Sequence, residues 1–344
     1  MSEIATHTRG SATLHDVARE AGVSLATASR VLNGSTRKVA ESYRDRVQAA
    51  ADKLGYTANL SAQATARGTA AIVALLVADI ADPYFGQLAS GVARGADEAG
   101  LVVTIAITER DPQREAKLVR ALRGQRPRGL ILAASRTDGP DGAGLQSELD
   151  AFQSMGGRVV ALGPVGADIR SVTVDNLGGS RALATRLSQL GYRDAVIVGA
   201  REGVRTSDDR VTGFTEGFTA GGGVVRDVIR AGFTRDAGYE GAQRMLAAGV
   251  PAGTVVFGIS DVVAIGAMSA IRDAGREVGS DLAVAGFDDI PTGRDIRPGL
   301  TTVHVPLEDF GYRALHAVLE EDWDPSLPPL PLDVVVRGST PERA

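Results

Sequence analysis

The spacing of apolar positions along the chain changes near residue 70. Before it, three short stretches repeat at helical period. Leu14, Val17, Ala18 and Ala21 form one stripe, Ala28, Val31 and Leu32 a second, and Val47, Ala50, Ala51 and Leu54 a third. Thr13 with Asp16 predicts a capping-box start for the first helix. Gly22 predicts its end, and Ser24 the cap of the second. On the second helix Ala26, Ser29, Arg30 and Asn33 share the face opposite the stripe. Two short helices joined at a Gly-containing turn predict a helix-turn-helix whose second helix is of a size to enter a DNA major groove. Small residues near its start would let the backbone approach base edges. Arg30 suits a bidentate guanine contact or a phosphate. A helical bundle without a DNA role has the same periodicity.

From residue 71 the rhythm is different. IVALLVA, LVVTIAI, GLILAA and RVVALG alternate with helical stretches, and each suits a strand buried on both faces. Asp111-Pro112 predicts a capped helix start. A second series follows: VTVDN, AVIVGA, VVRDVIRAG, TVVFGI and LAVAGFD. Alternation of this kind predicts parallel sheets covered by helices, and two series predict two doubly wound subdomains. The expected fold class is therefore α/β, an all-α headpiece followed by two doubly wound parallel subdomains.

Composition narrows the function. At 344 residues the chain exceeds one ordinary core. No apolar run approaches a membrane span, and MSEIATHTRGS has no apolar centre for a signal peptide. The absence of Cys excludes disulfides and thiolate metal sites and suits the cytoplasm. His7, His15, His304 and His316 have no metal-ligand spacing, so neither metal nor cofactor is expected. The net charge of −5 speaks against nucleic acid, but its distribution does not. Residues 1–68 carry nine Lys+Arg against six Asp+Glu, a balance of +3, which leaves −8 for the rest. A basic head on an acidic body can present one face to a polyanion.

Two rival classes are an α/β enzyme and an exported sugar-binding protein without a DNA role. No nucleophile elbow, phosphate loop or zinc-protease signature is present. Gly221-Gly222-Gly223 lies between a helix and a strand, the wrong context for a dinucleotide loop. Asp208, Asp209 and Arg210 have no His or Lys near them in sequence.

TLHDVAREAGVSLATASRVLNG (13–34), continued by RVQAAADKLGY (46–56) and TANLSAQATARG, closely resembles the headpiece of the lactose/galactose repressor (LacI/GalR) family of bacterial transcription regulators. The resemblance runs on through DPYFGQLASGVARGADEAG, DRVTGF, GFDDI and PGLTTVHVP. It implies that Leu25, Ala26 and Arg30 read bases. Ser24, Thr27, Ser29 and Asn33 would serve phosphate contacts and packing, and Tyr56 and Asn59 would contact the DNA backbone. It also implies that LSAQATAR (60–67) is a hinge helix, too short to hold alone in water. The family's Leu wedge for the minor groove is replaced by Thr65.

The resemblance further implies a periplasmic-sugar-binding-like core with an effector cleft lined by Tyr84, Phe85, Ser135, Thr206, Arg210, Phe233, Ser260 and Asp288. Ser260 replaces a common family Asn, which points to a different hydroxyl geometry in the effector. Asp261 is expected to cap a helix. Phe85 and Phe233 would otherwise be core aromatics, and Arg210 with Asp288 an interdomain ion pair. The implied domains are 1–56 (headpiece), 57–68 (hinge) and 69–344 (core). Within the core, subdomain 1 takes 69–171 and 301–326, and subdomain 2 takes 172–300 and 327–344. The expectation is a cytoplasmic, homodimeric, non-enzymatic regulator, most simply a repressor. It would bind pseudo-palindromic operator DNA and be switched by a small sugar or sugar derivative, with no membrane partner.

Overall fold

Thr13 opens the first helix with the reciprocal cap its spacing predicts. Its side chain accepts the Asp16 amide, and the Asp16 carboxylate accepts the Thr13 amide at 3.0 Å. The structure, a computed structural model, describes residues 12–32, 39–56, 70–133, 143–163 and 169–343, and the chain divides into two units, 1–71 and 72–344. In the first unit α1 (Leu14–Glu20), α2 (Leu25–Leu32) and α3 (Glu41–Leu54) enclose a small core. Val17, Ala18, Ala28, Val47, Ala50 and Ala51 are its buried centre. Gly22 takes the left-handed conformation that turns the chain between the first two helices, at φ 61°. Arg46 of α3 reaches this turn, donating from Nε to the Ala21 carbonyl at 3.0 Å and from Nη2 to the Gly22 carbonyl at 3.0 Å. It satisfies carbonyls that the end of α1 leaves free.

Among its described residues the second unit contains two parallel sheets and a two-stranded antiparallel pair. The first has the order β2-β1-β3-β4-β5, all parallel: β1 (Ile72–Val77), β2 (Val102–Ile107), β3 (Gly129–Leu132), β4 (Arg158–Leu162) and β5 (Arg170–Val172). The second has the order β7-β6-β8-β9: β6 (Asp194–Gly199), β7 (Val224–Arg230), β8 (Val255–Gly258) and β9 (Ala283–Ala285). Both are doubly wound, with the order reversing beside the first strand of each sheet. Continuous apolar runs make the central strands, since β1, β3 and β8 are covered on both faces.

Two expectations need correction. The stretch VTVDN is not a strand of the second sheet. The strand is Arg170–Val172 and it closes the first sheet. Val174 makes only an isolated bridge to Leu330, and Asp175 caps α7 (Asn176–Gln189) through the Gly178 amide at 2.7 Å. The return of the chain to the first sheet also falls later than residue 301. β10 (Thr302–His304) still belongs with the second sheet. Gly286 and Asp288 donate backbone bonds to Thr301 and Val303, and β10 pairs antiparallel with β11 (Asp333–Val335).

The crossing is complete with α12 (Leu307–Leu319), which packs against α4 (Pro83–Glu98). That contact requires glycine, because a Cβ at Gly91 would lie 1.8 Å from the Glu308 carbonyl oxygen. Two arginines fix the far end of α12. Arg158 donates to Leu319 O at 2.7 Å and Arg170 to Ala317 O at 2.7 Å, satisfying its last carbonyls.

Candidate functional site

On the headpiece, the first residues of α2 are exposed. Leu25 is 39% accessible although it is apolar, and Ala26 and Arg30 are exposed beside it. An apolar side chain held in water at a helix start suits contact with a thymine methyl, and Arg30 stands one turn further along. Ser24 accepts the Thr27 amide at 3.1 Å, and the two hydroxyls lie 2.8 Å apart, so both secure the helix start. Ser29 is half-buried, and Tyr56 packs against the headpiece core. Asn33, Asn59, Thr65 and the rest of the hinge lie outside the described residues.

The second candidate is a cleft of about 550 Å³ of open space lined from both sheets. Its position follows from topology: ligands of open parallel sheets bind outside the carboxyl ends of the strands, at the switch in strand order. Asp82, Tyr84 and Phe85 follow β1, and Ala133 follows β3. Thr206 and Arg210, on α8 (Arg205–Ala220), follow β6, and Ser260 follows β8. Phe233 follows β7 and Asp288 follows β9. Seven of the eight expected residues thus line one space; Ser135 lies outside the described residues.

Arg210, 3% exposed, is the best-connected of the cleft residues. It donates from Nε to Asn176 Oδ1 at 2.9 Å, from Nη1 to the Ile259 carbonyl at 2.7 Å, and from Nη2 to Asp288 Oδ1 at 2.9 Å. Its guanidinium carbon sits 3.8 Å from the centre of the Phe287 ring. Both members of the Arg210–Asp288 pair belong to the second subdomain, so the pair is not interdomain. Burial pushes the Asp288 carboxyl up to about 7, with Arg210 opposing and Asp82 adding to the rise. Asp82 itself is raised by burial, against the bond from the Tyr84 amide at 3.0 Å that makes it a helix cap. Burial likewise raises the Tyr84 hydroxyl, so it stays a neutral donor.

Phe85 is buried and packs edge-on against Tyr84, with ring centres 5.0 Å apart, while Phe233 is only half-buried. Ser260 is 3% exposed and its buried hydroxyl has no partner among the described residues, although Ser260 is the N-cap residue of α10 (Asp261–Asp273).

Asp261 does not cap that helix. Its carboxyl accepts the Ile290 amide at 2.8 Å and the Thr302 hydroxyl at 2.6 Å, tying the Asp288 loop to β10. Burial first, then the nearby Asp288 charge, raises Asp261 well above the usual range. The acidic run 208–209 is no acid–base cluster with Arg210. Asp208 turns to Arg230 at 2.8 Å and to the Gly203 amide, while Arg210 points to Asp288. Sequence reasoning missed Asp82, Arg110 and Asn176 as cleft residues. Asp82 lies within the DPYF stretch and carries a local cap signal, and Asn176 opens a helix after a turn. Arg110 has no sequence signal.

Residues 13–59 match the family description "Bacterial regulatory proteins, lacI family", and residues 184–340 match "Periplasmic binding protein-like domain". The HTH-type transcriptional regulator DegA of Bacillus subtilis is 30% identical over 87% of this chain and 88% of its own length. The ribose operon repressor of Halalkalibacterium halodurans is 31% identical over 95% and 97%. The solved complex of the transcriptional regulator CelR with cellobiose is 29% identical, with a TM-score of 0.69 over 95% of this chain and 99% of that one.

Proposed function

The chain belongs to the lacI family of bacterial regulatory proteins and is a DNA-binding transcriptional regulator, and from that premise we propose that a small polyhydroxylated effector in the inter-sheet cleft controls its hold on operator DNA. One observation carries the effector reading. Side chains from the switch points of both sheets converge on a single cleft around a buried Arg210–Asp288 pair. Aromatic faces at Phe85 and Phe233 suit the C–H faces of a sugar, and the charged groups suit its hydroxyls. The cellobiose in the CelR complex and the ribose operon of the other relative fit the same class.

Leu25, Ala26 and Arg30 read bases in the major groove, with Ser24, Thr27, Ser29, Asn33, Tyr56 and Asn59 positioning the headpiece. The protein works as a cytoplasmic homodimeric repressor. One headpiece offers too little interface for tight, selective binding, whereas two on adjacent half-sites combine their affinities. The operator is a pseudo-palindrome with half-site centres about one helical turn apart. Effector occupancy favours one relative orientation of the two subdomains, and residues 57–68 pass that preference to the DNA.

Calorimetric titration of candidate sugars with and without operator duplex tests the coupling. Linkage requires the duplex to change effector affinity by the factor by which effector changes operator affinity, typically about 5–150-fold. A ligand that binds the cleft equally in both titrations would leave the regulator without this switch.

A further inference from the structure

Two arginines line the cleft, and they are used very differently. Arg210 spends its donors on Asn176, Ile259 and Asp288. Arg110 has no hydrogen bond and no ion pair among the described residues, and its Nε is buried without a partner. Its contact is the Phe233 ring, whose centre lies 5.0 Å from the guanidinium carbon. Because Arg110 comes from the loop after β2 and Phe233 from the loop after β7, the contact spans the cleft.

The loop that delivers Arg110 is costly to form. Glu109 and Arg110 are consecutive non-glycine residues at φ 55° and 56°, a region that side chains other than Gly seldom occupy. The loop is held in that shape by backbone bonds from Thr108 to Val77 and from Glu109 to Ala78. A strained turn thus carries a half-buried, unpaired cation to a ligand cleft, where burial disfavours its charge. The Asp82 and Asp79 charges offset part of that cost, but neither carboxylate forms an ion pair or hydrogen bond with Arg110 among the described residues.

We propose that the effector is an anionic sugar derivative, bearing a carboxylate or a phosphate that Arg110 binds. This rests on the effector reading above and narrows its chemical class. A guanidinium fork matches the paired oxygens of either group, and a charge-assisted bond is about twice as strong as one to a neutral hydroxyl. Phe233 restricts the guanidinium so that less freedom is lost on binding. The Ser260 hydroxyl, also unpaired and buried in the cleft, supplies a further polar contact. Asp288 and Asp82 remain as acceptors for the sugar hydroxyls, as an uncharged ring with one charged substituent requires.

The test is calorimetry on the full chain with matched probes: glucose against glucuronate, galactose against galacturonate, and glucose and ribose against their phosphate esters. At least one charged probe should bind about 10–100-fold more tightly than its neutral partner, and added salt should weaken it. Arg110→Met should remove that advantage, so that the charged probe binds no more tightly than its neutral partner, whereas Arg110→Lys should keep part of it. Retention of tight charged binding by Arg110→Lys guards against reading a misfolded Arg110→Met as a lost contact. The carboxylate and phosphate arms separate the two sources of charge. If neutral sugars bind in a manner lost in Asp288→Asn while no charged partner binds more tightly, the effector reading stands and this inference falls. Charged binding that Arg110→Met leaves intact also overturns it. If no probe of either class binds, both readings fail.

Discussion

Replacing Asp288 by Asn separates two opposed effects on one buried carboxyl. Burial raises its pKa, while the Arg210 charge and the bond from Arg210 Nη2 lower it, and the balance stands at about 7 against an ordinary 3.8. The folded value lies above the unfolded one. Between the two, the folded state therefore retains a proton that the unfolded chain has released. The stabilising contribution is fully present below about pH 4 and is lost as pH rises through about 7. Three units correspond to about 4 kcal/mol, as an order of magnitude. Asn keeps an acceptor for Arg210 but cannot titrate. Leaving Arg210 without its counter-charge costs the variant a fixed amount, which does not change over this range because Arg stays protonated.

Urea unfolding of both proteins from about pH 4 to about pH 8 measures the difference directly. Wild type minus variant should fall with rising pH, by no more than about 1.4 kcal/mol per unit, and level off above about 8. Asp82 and Asp261 are present in both proteins, but the variant removes the Asp288 charge that helps to raise Asp261, so the difference includes that coupling, which acts in the same direction. A difference that is flat, or that grows with pH, would mean that the Arg210 attraction outweighs burial and that the stated balance is wrong.

Arg30→Ala should weaken operator binding by about 1–3 kcal/mol and relax preference at one base pair, as fluorescence anisotropy on operator and random duplexes would show. Equal loss on both duplexes would make Arg30 a phosphate contact. Thr65→Leu should tighten operator binding and increase DNA bending by supplying a larger apolar wedge, and an unchanged bend in circular-permutation gel shifts would remove residue 65 from that role. Asp261→Ala strips the acceptor from the Ile290 amide and the Thr302 hydroxyl, at about 1–3 kcal/mol for each group left unsatisfied. Chemical denaturation should show the loss; wild-type stability in this variant would mean the loop finds other partners.

What could be read in the sequence depended on whether the determining contact was local. Thr13 and Asp16 bond across one helical turn, so their spacing alone predicts the cap. Strands covered on both faces must be apolar throughout, so β1, β3 and β4 were visible as runs. β2 was visible too, but it is an edge strand with Val102 and Ile105 exposed, not the strand buried on both faces that its run suggests. β5 was not, because it begins at Arg170, whose guanidinium is spent on the last carbonyls of α12, about 150 residues away in sequence. A charged residue there looks like surface until the helix it holds is known. The apolar Val172, Val174 pattern next to it then drew the strand two residues too far along the chain.

The cleft divides along the same line. Its residues sit at strand ends scattered from Asp82 to Asp288, and only the shared winding of the two sheets brings those ends together. Resemblance supplied seven of the fifteen lining residues because relatives share that winding. Arg110 is different in kind. Its place depends on two successive left-handed residues, neither of them the Gly or Asn that would announce such a turn. Asp261 shows the converse error. It follows the N-cap residue of α10 and reads locally as a capping group, yet its partners lie 29 and 41 residues onward. A buried carboxyl accepts whichever donors the tertiary structure leaves unpaired. Here one donor belongs to the loop that carries Asp288 and the other to β10, so the group that looked like a helix cap instead holds half of the central ion pair in place.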